Sequence, residues 1–347
     1  MKELNSSVKT SFFKKIFIRI CRALGYEIID QNNLYLPTLD KFIDENLSSA
    51  GKKSINLPLG EVKITRKIKT LDIIIKTCTS VNLVSQSKER IFGEKKSEYT
   101  FRSINSIIKN INCAKKIMSN VLFKIFVIDY NSETSDLKKI KEKLIYSKIP
   151  HEIINLNVAE FENKIKKINQ KNEVVKENML STMASIYKSF LLAKEKCDDL
   201  IYFVEDDYIH DVEAISEMLF TYERISSQSK KELIICPTDY PFLYNKVEKT
   251  EIYLGNTRHW RSTGETLLTF MTSKKLLEKH WKSFEGMSQF ENSPFEKPLH
   301  KIYKEELCLS PIPSLAMHCT NINSVFGLSP NFDWRNIWKE NKSLLDE

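Results

Sequence analysis

The chain has 347 residues, 41% hydrophobic and 28% charged, with 53 lysines and arginines against 45 aspartates and glutamates and a formal net charge of +8. That composition excludes a disordered tail protein and a collagen-like fibre, and the length admits one large folded domain or two. The apolar runs fall short of the roughly 20 residues a membrane-spanning helix needs, the seven cysteines show neither a CxxC pair nor finger spacing, and no base-reading motif accompanies the positive charge. A membrane span, a zinc module and a nucleic-acid partner are therefore not expected. Lys14, Lys15, Arg19 and Arg22 interrupt the apolar stretch near the start and no small-residue cleavage site follows, so a cytoplasmic protein with reduced thiols is expected.

In chain order, residues 12 to 24 come first. On a helical wheel Phe12, Phe13, Ile16, Phe17, Ile20 and Leu24 share one arc, and the four basic residues occupy the other with Ile18 as the exception. Such a basic amphipathic helix suits either an anionic membrane surface, here the inner face of the membrane, or packing against the main domain. From Gly25 to Thr70 the pattern is irregular and punctuated by Pro37, Gly51, Pro58 and Gly60, which reads as a connector. The division expected is an N-terminal amphipathic helix and connector over 1–66, a main domain over 67–330 and a C-terminal tail over 331–347.

After Thr70 short apolar runs alternate with helical stretches, the signature of βαβ units. Strands are expected at Leu71 to Thr77, Phe123 to Asp129, Glu152 to Leu156, Leu200 to Val204, Leu233 to Cys236 and Thr266 to Thr272. Helices are expected at Ser103 to Ser119, Asp136 to Lys148, Glu177 to Lys196, Val212 to Ser226 and Lys274 to Trp281. The fold class that follows is α/β, a mainly parallel sheet flanked by helices. In such sheets ligands sit beyond the carboxyl ends of the strands, which makes three strand ends the places to inspect.

The strand Ile201-Tyr202-Phe203-Val204 delivers Glu205-Asp206-Asp207 into a turn. Adjacent carboxylates repel, so the turn calls for a compensating cation, and Mg²⁺ or Mn²⁺ prefers carboxylate oxygens while leaving positions for substrate phosphates. The plainer reading is a solvated turn that caps the next helix. A second strand ends in Asp129-Tyr130-Asn131-Ser132, where Asp129 suits a base imide or ribose hydroxyl and Asn131 a nucleotide contact, unless the turn only caps a helix. The first strand ends in Lys76-Thr77-Cys78-Thr79, and Lys76 with Arg90 or Arg102 beyond it suits diphosphate charge, although each also suits a surface cation.

Taken together, the order of these ends resembles that of the GT-A glycosyltransferases, the family 2-like group in particular, over roughly residues 70–325. The acidic turn resembles their DxD motif with Glu205 in place of its first Asp, and Met179 to Val204 resembles the helix and strand that precede it. The resemblance implies a Rossmann-like GT-A domain that moves a sugar from a nucleotide donor, UDP-linked for preference, to a glycan or lipid-linked acceptor. It also implies Mn²⁺ or Mg²⁺ held by Glu205, Asp206, Asp207 and His318, the last standing after Pro313-Ser314-Leu315. Trp260 and Arg261 are then acceptor contacts, with a core tryptophan as the alternative. An inverting reaction needs a carboxylate within about 3 Å of the acceptor hydroxyl, and Asp239, Glu265 and Glu291 are the candidates, with Glu296 near the last; a retaining reaction needs none of them as base. The competing readings are a metal-dependent phosphohydrolase or nucleotidyltransferase using the same turn, and a non-catalytic carbohydrate-binding protein.

Overall fold

The computed structural model describes residues 12–25, 55–56, 60–61, 64–80, 90–169, 171–245, 249–320 and 324–342. They fall into two units, one of residues 1–47 and 53–62, the other of 48–52 and 63–347. The first holds α1 (Phe12–Ala23) and the hairpin of β1 (Ile55–Asn56) with β2 (Gly60–Glu61). Most of the expected connector lies outside the described residues.

The second unit runs β3 (Thr70–Thr77), α2 (Lys96–Ile117), β4 (Leu122–Asp129), α3 (Thr134–Ser147), β5 (His151–Asn155), α4 (Glu177–Lys196), β6 (Leu200–Glu205), β7 (Tyr208–His210), α5 (Ala214–Ser229) and β8 (Ile234–Ile235). It continues through α6 (Phe242–Asn245), β9 (Ile252–Leu254), β10 (His259–Ser262), β11 (Phe270–Ser273), α7 (Lys274–Lys279), α8 (Trp281–Gln289), α9 (Lys297–Ile302), β12 (Cys308–Ile312), β13 (Ala316–His318) and α10 (Trp334–Glu340).

A nine-stranded sheet in the order β5-β4-β3-β6-β11-β8-β12-β10-β9 forms its centre. Seven strands run one way, and β10 and β11 run against them. Leu71 and Ile73 to Ile75 are buried without alternation, with Asp72 the one charged residue among them, because β3 is covered on both faces. Ile73 and Ile75 pack in the layer with Ile104 and Ile107 of α2 and Met218 of α5. Ile74 packs on the other face with Met183 and Phe190 of α4 and Phe284 of α8. This is the α/β, Rossmann-like, mainly parallel sheet flanked by helices that the resemblance implied.

The chain winds outward from β3 to β4 and β5, then returns to place β6 on the other side of β3. The topological switch, and the crevice it opens, lies between β3 and β6. Just past β6 the chain turns through Asp206 and Asp207 into β7, which pairs antiparallel with β13 and sets His318 opposite Tyr208.

Residues 331–342, expected as a tail, belong to the second unit: Ile337 and Trp338 of α10 are buried with Tyr99, Ile209, Met317 and Cys319. Among the described residues no helix is long and apolar enough to cross a membrane, and none of the seven cysteines is in a disulfide.

Candidate functional site

The register of the sheet sets Lys76 of β3 beside Glu205 of β6 and Thr77 beside Asp129 of β4. These ends open into a cleft with a cavity volume of about 190 Å³. Its walls carry Lys76, Thr77 and Cys78 after β3, the acidic turn after β6, Lys96 of α2, Arg90, Tyr130, Thr320, and Asn178, Ser181, Thr182 and Ser185 of α4. The four α4 residues stand at helical spacing i, i+3, i+4 and i+7, so they form one polar stripe along the wall.

Each of the three carboxylates has a basic partner from another element. Lys76 Nζ lies 3.5 Å from Glu205 Oε1. Lys96 Nζ donates to Asp206 Oδ1, and the other oxygen accepts from Thr100 Oγ1 at 2.8 Å and the Cys78 amide at 3.3 Å. His318 Nε2 lies 3.4 Å from Asp207 Oδ2, which also accepts from Thr320 Oγ1 at 2.9 Å. Burial opposes the charge on Asp207, but His318 and Lys96 outweigh it and hold the carboxyl well below the usual range. Burial likewise opposes the imidazolium of His318, and Asp207 outweighs it and raises that pKa. The same balance, with Asp206 and Asp207 opposing burial, raises Lys96.

These bonds bear on the expected metal. Both oxygens of Asp206 are engaged by protein donors, and among the described residues no group of three or more His, Cys, Asp or Glu side chains is gathered to hold an ion. The expected four-ligand set of Glu205, Asp206, Asp207 and His318 is thus not assembled. What does suit Mn²⁺ or Mg²⁺ is the pair Asp207 and His318. One supplies a carboxylate, the other an imidazole whose Nδ1 faces the Phe326 carbonyl at 3.2 Å, the kind of outer contact that orients a metal-binding histidine. The β7–β13 ladder holds the pair in place, and the His318 ring stacks on Tyr208 with centroids 4.6 Å apart.

The remaining expected contacts divide. Lys76 and Thr77 line the cleft as read from the sequence. Asp129 is buried and already satisfied: it accepts from Thr77 Oγ1 at 2.7 Å, Ser132 Oγ at 2.5 Å and the Ser132 amide at 3.3 Å, which ties the end of β3 to the turn after β4. Asn131 sits exposed in that turn at φ 56°, its Nδ2 3.4 Å from Ser80 Oγ. Arg102 is not at the cleft. It is buried in α2, donates to Glu98 at 2.6 Å and to the Trp338 carbonyl, and lies over the Trp338 ring at 4.1 Å.

None of the expected bases is among the residues lining the cleft. Asp239 is fully buried and holds Arg261 while accepting from Tyr244 Oη, so it serves a buried ion pair. Glu265 lies half-buried between β10 and β11, and Glu291 lies in the α8–α9 connection, 3.3 Å from Asn169 Nδ2. Trp260 is a core residue rather than an acceptor contact: it is fully buried and its Nε1 donates to Glu217 at 3.1 Å. Lys96 and the α4 stripe were missed by sequence reasoning. The stripe's spacing was a usable signal once the helix was assigned; Lys96 offered none.

No protein-family model matches the chain and no curated protein matches it. Solved structures give distant likenesses. The first is residues 1–349 of TarS from S. aureus, 13% identical, with 64% of this chain and 56% of that one covered and a TM-score of 0.34. A UDP-glucose pyrophosphorylase complexed with UDP-glucose is 8% identical over 79% of this chain and 97% of that one, with a TM-score of 0.38. The galactosyltransferase LgtC, in complex with donor and acceptor sugar analogues, is 10% identical over 67% and 65%, with a TM-score of 0.31. The match thus spans little more than half of the TarS chain and less than two thirds of LgtC. With TM-scores below 0.5, these likenesses leave the chemistry to be argued from the cleft.

Proposed function

We propose that this chain is a glycosyltransferase that moves a sugar from a nucleoside-diphosphate donor, UDP-linked for preference, to a glycan or lipid-linked acceptor. The observation that carries this reading is the cleft at the ends of β3 and β6, where Asp207, contacted by the buried His318, stands among Lys76, Arg90 and Lys96 in a wall shared with the polar stripe of α4. A strand-end crevice that combines cations with hydroxyl donors suits a diphosphate whose attached sugar needs directional hydrogen bonds.

In this reading the cations offset the charge that grows on the diphosphate as the glycosidic bond breaks, and the α4 hydroxyls and Asn178 orient the donor. Asp207 and His318 would hold Mn²⁺ or Mg²⁺, which supplies Lewis-acid stabilisation of the leaving diphosphate when bound. Thr320 donates to Asp207 and the Phe326 carbonyl fixes the His318 ring, so both keep their orientation between turnovers. An inverting reaction would also need a base at the acceptor; Asp239 is committed to Arg261 and Tyr244, and neither Glu265 nor Glu291 lines the cleft, so the donor half of the site carries this reading.

The test is release of nucleoside diphosphate from a panel of UDP-, GDP- and dTDP-sugars with and without Mn²⁺ or Mg²⁺. Asp207→Ala and His318→Ala should each lower metal-stimulated release by about 100-fold while the fold stays cooperative, by analogy with loss of a ligand or its support. Release of nucleoside monophosphate or pyrophosphate instead would point to the phosphohydrolase or nucleotidyltransferase reading. Full activity of folded Asp207→Ala would remove the assignment.

A further inference from the structure

A different part of the molecule carries an inference independent of the cleft. The apolar arc of the α1 segment is open: Phe12, Phe13, Ile16, Phe17, Ile20 and Leu24 are between 39% and 80% exposed. At 100° per residue these six positions fall within about 140° of the wheel, a face broad enough to bury and too broad to be incidental. Four basic residues and no acidic residue stand between positions 12 and 25, and Arg19 is exposed.

We propose that α1 lies in the surface of an anionic lipid bilayer, its phenylalanine-rich arc at the acyl boundary and its basic arc among the headgroups. Charge complementarity singles out this occupant. An anionic bilayer matches both arcs at once, offering acyl chains to the phenylalanines and leucine and charged headgroups to the lysines and arginines. The orientation follows from length. Twelve residues span about 18 Å, well short of a hydrocarbon core of about 30 Å, and basic residues recur through the helix, so α1 lies flat and does not cross. Three phenylalanines give large apolar area at a small cost in side-chain freedom, which favours insertion of a short helix.

Co-sedimentation of the full chain with vesicles tests this directly, using phosphatidylcholine alone and phosphatidylcholine containing about one third phosphatidylglycerol. The unmodified protein should pellet with the anionic vesicles and be released by salt. Phe13→Asp with Phe17→Asp should weaken that binding at least about tenfold, and Lys14→Glu with Lys15→Glu should do so at low salt. Unchanged circular dichroism and urea midpoint would show that the variants keep the fold, as expected for changes on an exposed arc. Equal pelleting of the Phe13/Phe17 variant and the unmodified chain, or no preference for anionic vesicles, would overturn the proposal. So would light scattering that shows a dimer, broken by the Phe13/Phe17 change, in a chain that binds no vesicle: the second copy would then be the occupant.

Discussion

Replacing Lys96 by Met takes the ammonium from Asp206 and keeps a stem of similar length. Both side chains are 13% exposed, so the carboxylate left behind would be mostly out of water. At an effective dielectric near 20, unit charges about 3 Å apart attract by about 5 kcal/mol, and removing one partner of a buried pair costs about 3 to 5 kcal/mol because the other is stranded. Asp206 keeps Thr100 at 2.8 Å and the Cys78 amide at 3.3 Å, which places the expected loss near the lower end, about 3 kcal/mol. Urea unfolding at neutral pH measures it, and the double variant Lys96→Met with Asp206→Asn should recover to within about 1 kcal/mol of the unmodified chain, since it strands no charge. The same titration separates the two possible counter-ions. If Lys96 is the cation that balances Asp206, millimolar Mn²⁺ leaves the deficit of Lys96→Met in place. Full rescue by Mn²⁺, or a loss below about 0.5 kcal/mol without it, would refute the assignment and return Asp206 to the metal.

Two further outcomes are expected. Burial pushes the Asp72 carboxyl, 6% exposed, up to about 6 from an ordinary 3.8, so the fold favours its protonated form. The contribution is intact below about pH 4 and lost as pH rises through 6, a cost of at most about 3 kcal/mol at neutral pH. Asp72→Asn should therefore stabilise the protein at pH 7 and change little at pH 4, by urea midpoint at each; an equal effect at both would count against the shift. Trp338 is 8% exposed, stacks on Phe92 at 3.9 Å and lies under Arg102, so Trp338→Ala should cost about 3 to 5 kcal/mol and Trp338→Phe much less. A loss under about 1 kcal/mol for the alanine variant would mean that α10 braces nothing.

What was legible in the sequence follows from how each element is covered. β3, β4 and β6 are mostly apolar because helices cover both faces of the sheet, so Ile73 to Ile75, Ile125 to Ile128 and Leu200 to Val204 stand out as runs. β10 reads His-Trp-Arg-Ser and β12 contains Pro311, so polar and proline residues hid two strands, and the first was taken for an acceptor loop. β7 and β13 are three residues each, too short to show a period, yet their ladder is what brings His318 to Asp207. The start of α2 was set at Ser103 rather than Lys96, because Lys96-Ser97-Glu98 lacks an apolar face; that displacement made Arg102 look like a cation beyond a strand end. In the helix it stands one turn from Glu98 and reaches α10 instead.

The acidic turn shows the limit most clearly. Three adjacent carboxylates announce that positive charge must come to them, and that much is readable from residues 205 to 207 alone. Which charge comes is settled by tertiary contacts that leave no local pattern. Lys76 arrives along β3, Lys96 from the first turn of α2, and His318 from β13, each from far off in the chain. A free ion is the natural inference when only the acids are visible; in the fold Lys76, Lys96 and His318 already stand beside them, one to each carboxylate. The Lys96→Met titration therefore tests more than one salt bridge. It asks whether this protein has already built into its sheet edge part of the charge that a metal would otherwise provide.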